Sequence, residues 1–260
     1  MNSKEPAPKK SLGQHWLHDS EALAGICEGA ELTKDDVVLE IGPGLGTLTE
    51  ELTKRAGKVI AVEYDDDLAK ELPGRVGSDN LEIVYQDILK FDFTSLEPDF
   101  KVVANIPYYL TSNLIRVMSE TPNRPCIAVL LVQKEVAQRI TAAPGNLSIL
   151  GVTAQYYWHV TVGFEVPASM FTPPPKVDSQ VLSLQRRDEP PFGDIDTKKF
   201  FRLVKAGFGE RRKKLRSSLS HGLGMKTDEI EKILNKASID PNLRAQALSL
   251  DDWYRIYENI

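Results

Sequence analysis

The 260-residue chain is 42% hydrophobic and 27% charged, the ordinary composition of a soluble globular protein, with room for one large domain or a large one and a small one. No apolar run approaches the roughly 18 residues that span a bilayer, and the N-terminal MNSKEPAPKKSLG lacks the apolar stretch of a secretory signal. Net charge is −5, which speaks against an overall nucleic-acid polyelectrolyte.

Cys27 and Cys126 stand far apart and outside any C-x-x-C pair, so both read as free buried thiols in a reducing cytosol. The four histidines have no metal-ligand spacing with cysteines, and no metal is expected. The charge distribution is uneven, however. Lys9 and Lys10 mark the N-terminal arm, and Arg211, Arg212, Lys213, Lys214 and Arg216 crowd six positions near the C-terminus, a local basic footprint suited to phosphates.

From residue 37 to about 135, short apolar runs alternate with helical patterns. VVLEIG (37–42), VIAVEY (59–64), LEIVYQ (81–86), KVVAN (101–105) and IAVLLVQ (127–133) read as strands. Amphipathic stretches such as TLTEELTKRAG and TSNLIRVMSE lie between them. Near-continuous β-branched runs separated by helices predict a parallel sheet covered on both faces, wound right-handed. Residues 156–166 and 177–187 read as an antiparallel pair that finishes the sheet. RRDEPPFGDIDT (186–197) has the charge, prolines and glycine of a linker. Beyond it FFRLVKAGF, RRKKLRSSL, TDEIEKILNKA and SLDDWYRIYENI are all helical patterns. The expected division is an α/β domain over 1–187 and a small helical domain over 188–260.

The chemistry sits at the strand ends. Glu40-Ile41-Gly42-Pro43-Gly44-Leu45-Gly46 follows the first strand and opens a helix, where glycines let backbone approach a ligand. Its spacing is G-x-G-x-G rather than the G-x-G-x-x-G of pyrophosphate binders. Glu63 ends the second strand, where a carboxylate can accept ribose hydroxyls. Asp87 ends the third, in reach of an adenine amino group. Together they describe a pocket for an adenosyl group with no phosphate, and S-adenosyl-L-methionine is the cofactor that fits best.

Asn105-Ile106-Pro107-Tyr108 ends the fourth strand with an amide, a proline and an aromatic ring. The amino nitrogen of a nucleobase is a poor nucleophile because its lone pair is delocalised. The Asn105 amide oxygen and the Ile106 carbonyl can accept its two N–H groups and turn the lone pair towards a methyl donor. Tyr108 offers a face on which the base can stack. Three prolines in Phe171-Thr172-Pro173-Pro174-Pro175 stiffen a segment that could present Phe171 opposite Tyr108, closing a sandwich around the base.

These motifs resemble the small-subunit rRNA adenine N6,N6-dimethyltransferases of the kasugamycin-resistance type. The resemblance covers nearly the whole chain: KKSLGQHWL, EIGPGLGTLT, NIPYYLTS, LVQKEVAQRI, FTPPPKVDS and FGERRKKLRSSL. It implies a Rossmann-like class I S-adenosylmethionine methyltransferase sheet with a helical C-terminal domain that binds RNA. It also implies cofactor contacts at His15, Leu17, Gly42, Glu63, Asp87 and Asn105, and target-adenine contacts at Asn105, Tyr108 and Phe171. The implied substrate is small-subunit rRNA within an immature 30S particle, met by a cytoplasmic monomer with no membrane partner. His15, Trp16 and Tyr109 depart from the residues common in the family. Two other readings compete: an erythromycin-resistance methyltransferase of large-subunit RNA, and a non-enzymatic ribosome-assembly factor on the same fold.

Overall fold

A computed structural model describes residues 6–260, including every side chain among them except that of Lys10. The Lys10 half of the basic arm therefore lies outside the described residues. The chain forms two compact units.

The first unit opens with a two-residue strand β1 (Trp16–Leu17) and helix α1 (Ser20–Glu28), which the Asp19 carboxylate caps by accepting from the Ala22 N–H at 2.8 Å. Then strands and helices alternate: β2 (Val37–Ile41), α2 (Thr47–Arg55), β3 (Lys58–Glu63), α3 (Asp66–Val76), β4 (Leu81–Tyr85), β5 (Lys101–Asn105), α4 (Thr111–Glu120) and β6 (Ile127–Gln133). The five expected strands appear at the expected places, within a residue at each end. The middles of β2, β3, β5 and β6 are buried because both faces of the sheet are covered, which is why the sequence shows apolar runs instead of alternation, while the edge strand β4 is only partly buried.

After β6 come α5 (Lys134–Ile140), α6 (Ile149–Tyr157), β7 (Trp158–Val166), β8 (Phe171–Thr172) and β9 (Ser179–Arg186). The seven-stranded sheet has the order β4-β3-β2-β5-β6-β9-β7. The first five strands run parallel, and β9 pairs antiparallel with β6, from Ile127↔Gln185 to Gln133↔Ser179. The chain winds outward from β2 to β4, then returns to the other side of β2 as β5. That reversal is a topological switch point, and it leaves a crevice at the carboxyl ends of β2 and β5.

The second unit takes residues 138–158 together with 187–260. It therefore includes α6, which the expected 1–187 boundary assigned to the α/β domain. α6 carries little polar patterning, and its Ser148 cap, which accepts from the Gly151 N–H at 3.1 Å, is its clearest signal. The remaining helices are α7 (Thr197–Phe208), α8 (Leu215–Leu223), α9 (Thr227–Lys236) and α10 (Leu250–Tyr257). They share a core of Phe200, Leu203, Leu219, Leu234, Trp253 and Ile256. The 186–197 stretch is not a free linker, because Phe192 stacks on Tyr254 with centroids 4.3 Å apart and planes 8° from parallel.

Candidate functional site

The turn after β2 is built from left-handed glycines. Gly42 and Gly44 have φ of +66° and +58°, a region that costs a side-chain-bearing residue strain. Gly44 is also pinned by space: a Cβ there would fall 2.7 Å from Cζ3 of Trp16. The loop can therefore lie flat beneath the N-terminal segment that carries Trp16.

Glu63 closes β3 next to this loop and is 6% exposed. One carboxylate oxygen accepts from the N–H groups of Tyr64 and Asp65, both at 2.8 Å, and the other from Gly44 at 3.1 Å. Burial pushes its carboxyl up, and the three amides pull it only part of the way back. These donors fix the side chain and occupy three of about four acceptor positions, leaving about one for a ligand hydroxyl. Asp87, past the end of β4, accepts from Leu89 N–H at 3.0 Å and keeps its second oxygen for other contacts.

Glu40, in β2, was quoted in the glycine motif but given no role by sequence reasoning. It is 1% exposed, its Oε2 has no hydrogen-bond partner among the described residues, and it lines the same cavity. Burial raises its carboxyl to about 8, the nearby Thr49 hydroxyl moderates the rise without completing a hydrogen bond, and the Glu63 charge adds to it. Its signal in the sequence was an acid in the middle of the apolar run VVLEIG.

Asn105 ends β5 with its Nδ2 donating weakly to the His15 carbonyl at 3.5 Å, which leaves the amide oxygen as its acceptor. Ile106 is buried and Pro107 sets the turn. The Tyr108 hydroxyl shares a 2.7 Å hydrogen bond with the Ser179 hydroxyl at the start of β9. Burial pushes the Tyr108 hydroxyl up, and the Ser179 bond offsets part of that. His15 covers part of the same ring, with centroids 6.0 Å apart and planes 21° from parallel. Its Nδ1–H donates to the Pro173 carbonyl at 2.6 Å.

The segment from Leu12 to Leu17 forms one wall. β1 pairs with β8 through Trp16↔Thr172 and Leu17↔Phe171, and the Thr47 hydroxyl donates to the Leu17 carbonyl at 2.9 Å. Its start is latched to the end of β3. Lys9 Nζ donates to Asp65 at 2.7 Å and Asp67 at 2.9 Å, and the Gln14 amide donates to Asp65 at 3.1 Å. Burial pushes the Asp65 carboxyl up, but Lys9 and Gln14 more than reverse this and hold it below the usual carboxylate range. Lys9 thus serves the wall of the site and is not a free cation of a basic arm.

These pieces enclose a cavity of about 300 Å³ at the switch point. His15, Leu17, Gly42, Glu63, Asp87, Asn105 and Tyr108 all line it, so the structure gathers every sequence-derived cofactor position into one place. Phe171 is the exception. It is 3% exposed, packs among Leu17, Leu23, Val129 and Val181, and is absent from the cavity lining. The expected sandwich with Tyr108 is corrected accordingly: the side chain anchors β8 to the core, because its strand pairing with Leu17 turns it inward. Ser179, from the same FTPPPKVDS segment, is the residue that reaches Tyr108.

The basic cluster also differs from expectation. Arg211, Arg212, Lys213 and Lys214 are exposed, but they lie in a turn before α8 and not on a helix. Gly209 ends α7, and Lys213 N–H closes back on the Glu210 carbonyl at 2.9 Å. Arg216 is inside α8 and pairs with Glu231 at 2.5 Å, so its charge is already engaged.

The lining of the cavity selects its ligand chemically. The carboxylates of Glu63 and Asp87 line it beside Glu40, whose buried carboxyl keeps its proton near neutral pH, and among the described residues no Lys or Arg lines it. A pyrophosphate would be repelled, whereas an adenosyl group carrying a sulfonium and an ammonium is matched. S-adenosylmethionine therefore fits the residues present, with Glu63 and Asp87 suited to the ribose and the adenine.

Known proteins agree with this chemistry. The ribosomal RNA adenine dimethylase family profile matches residues 7–260. The chain is 41% identical over 261 residues to ribosomal RNA small subunit methyltransferase A of Clostridioides difficile, covering 96% of this chain and 90% of that one. It is 40% identical over 252 residues to the protein of that name from Dehalococcoides mccartyi, covering 95% and 87%. Among solved structures, a dimethyladenosine transferase from Plasmodium falciparum superposes with a TM-score of 0.78 at 27% identity, covering 92% of this chain and 95% of that chain. The 23S rRNA methyltransferase ErmE superposes at 0.75 with 31% identity, covering 94% and 98%. Among the described residues no helix is long and apolar enough to cross a membrane. The chain belongs to the ribosomal RNA adenine dimethylase family, and it is an rRNA adenine methyltransferase that uses S-adenosylmethionine.

Proposed function

We propose that this enzyme dimethylates the N6 amino groups of two adjacent adenosines near the 3′ end of small-subunit rRNA, acting as a cytoplasmic monomer on immature 30S particles. The observation that carries this reading is the junction of Asn105, Ile106 and Tyr108 with the acid-lined cavity at the switch point. The cofactor supplies an electrophilic methyl group when bound. The chain does the rest by position. Asn105 and the Ile106 carbonyl accept the amino hydrogens of the base, and Tyr108, held by Ser179, gives the extruded ring a face. A monomethylated amine keeps one N–H for either acceptor, so the same pocket takes its own first product. Arg211, Arg212, Lys213 and Lys214 meet RNA phosphates from the exposed turn of the second unit, while Arg216 pairs with Glu231 and ties α8 to α9.

The fold shared with ErmE leaves the large-subunit alternative as the reading to test against. Purified protein is supplied with labelled S-adenosylmethionine and, separately, unmethylated 30S particles and 23S rRNA. Nucleosides are then weighed after digestion. Dimethyladenosine from the 30S arm alone is the expected result. Label in the 23S arm alone favours the erythromycin-resistance type, and label in neither favours a pure assembly factor.

A further inference from the structure

The outward face of α7 is strongly basic in a way that the fold itself does not explain. Phe200, Leu203, Val204, Ala206 and Gly207 are buried, which leaves Lys198, Lys199, Arg202 and Lys205 exposed on the other side. Lys198, Arg202 and Lys205 fall at i, i+4 and i+7, one above the other, with Lys199 beside them. TKKFFRLVKAGF contains no acid at all, and among the described residues none of the four cations has an ion-pair partner.

Other surface helices of this protein are built differently. α2 pairs Glu51 with Lys54 and Arg55, α3 pairs Asp66 with Lys70 and Glu71 with Arg75, α4 pairs Arg116 with Glu120, and α10 pairs Asp252 with Arg255. Solubility alone would be served by the same interleaving on α7. The helix dipole accounts for Lys205 in the last turn, but it disfavours Lys198 and Lys199 in the first. Asp196 caps the helix by accepting from the Lys199 N–H at 3.0 Å, and that carboxylate forms no ion pair with the stripe. A few residues beyond the end of α7, the chain continues into the exposed Arg211–Lys214 turn.

We propose that this face of α7 is a second phosphate-binding surface, one that grips the RNA backbone independently of the Arg211–Lys214 turn. Rows of unpaired cations on a rigid helix suit a polyanion whose charges recur along its length, and each neutralised phosphate releases counterions. The inference rests on the reading that the substrate is structured rRNA.

The test compares the full-length wild type with a variant carrying K198Q, K199Q, R202Q and K205Q. Gln keeps helix propensity and removes like-charge neighbours, so the variant should melt no lower than wild type. Binding to unmethylated 30S particles is measured from low to moderate salt, with S-adenosylmethionine affinity as a control. The variant should bind at least tenfold more weakly at low salt. Its slope of log K against log salt should be shallower by about 2–3 units, since each lost phosphate contact removes roughly 0.7–0.9. Cofactor affinity should be unchanged. A variant that follows the wild-type line overturns the inference and leaves the functional reading intact. A wild type that shows no salt-dependent binding to these particles overturns both.

Discussion

Replacing Glu40 with Gln should flatten the dependence of stability on pH. In the folded protein burial raises this carboxyl from 4.5 to about 8. Between those values the folded state holds a proton that the unfolded chain has released. The sign follows directly: this stability is fully present below 4.5 and is lost as pH rises through about 8. Each pH unit in that interval removes about 1.4 kcal/mol. From about pH 5.5 to about pH 7.5, wild type should therefore lose roughly 3 kcal/mol relative to Glu40→Gln, which cannot titrate there. Glu63 shifts in the same direction and is present in both proteins, so its contribution cancels. Urea unfolding of both proteins at the two pH values measures the difference. Parallel stability curves would refute the reasoning, because they would mean that Glu40 is already ionised and satisfied in the fold. The same protonation links to binding: near neutral pH, entry of the cationic cofactor should expel up to one proton from wild type and none from this position in the variant. Calorimetry in buffers of different ionisation enthalpy counts that proton.

Phe171→Ala should cost about 3–5 kcal/mol of stability as a core truncation, read by urea unfolding. Full stability with lost methyl transfer would instead return Phe171 to the base pocket. Tyr108→Phe keeps the ring but strands the buried Ser179 hydroxyl, costing about 1–3 kcal/mol in the same assay. Tyr108→Ala should in addition slow methyl transfer to 30S particles by roughly ten- to a hundredfold, the worth of one stacked base. Glu63→Ala should weaken S-adenosylmethionine binding by about 1.5–3 kcal/mol in calorimetry. It should also lower the melting temperature, because three backbone donors lose their acceptor.

The legible part of the molecule was the part whose logic is local. Five apolar runs marked five parallel strands: four are buried on both faces and must be apolar along their length, and the partly buried edge strand β4 keeps enough apolar residues to show as well. Once those strands were placed in one sheet, Glu63, Asp87 and Asn105 had to arrive at neighbouring carboxyl ends. The illegible part depended on partners distant in sequence. Nothing near Phe171 says that Leu17 will pair with it and turn it into the core. Nothing near Lys9 announces that Asp65 and Asp67 will take its charge. The RRKK run has good intrinsic helix propensity, yet Gly209 ends α7 just before it, and α8 starts only where the Leu215 and Arg216 N–H groups find the carbonyls of Leu243 and Pro241. Glu40 was visible as an acid inside an apolar run, but its lack of a partner is a fact of packing.

The pairing of β1 with β8 has a consequence in time. The His15–Pro173 hydrogen bond joins residues 158 positions apart, and the wall formed by Leu12–Leu17 is held by that far end. A ribosome making this protein therefore releases the Leu12–Leu17 wall, the glycine loop, Glu63, Asp87 and Asn105 long before it releases the segment that anchors the wall. Ser179, which steadies Tyr108, emerges later still. Nascent chains stalled before Phe171 should bind the methyl donor poorly, and those extended past Ser179 should acquire that capacity within a short increment of length. The enzyme that modifies ribosomal RNA would thus remain unable to hold its methyl donor until most of its first unit has left the exit tunnel.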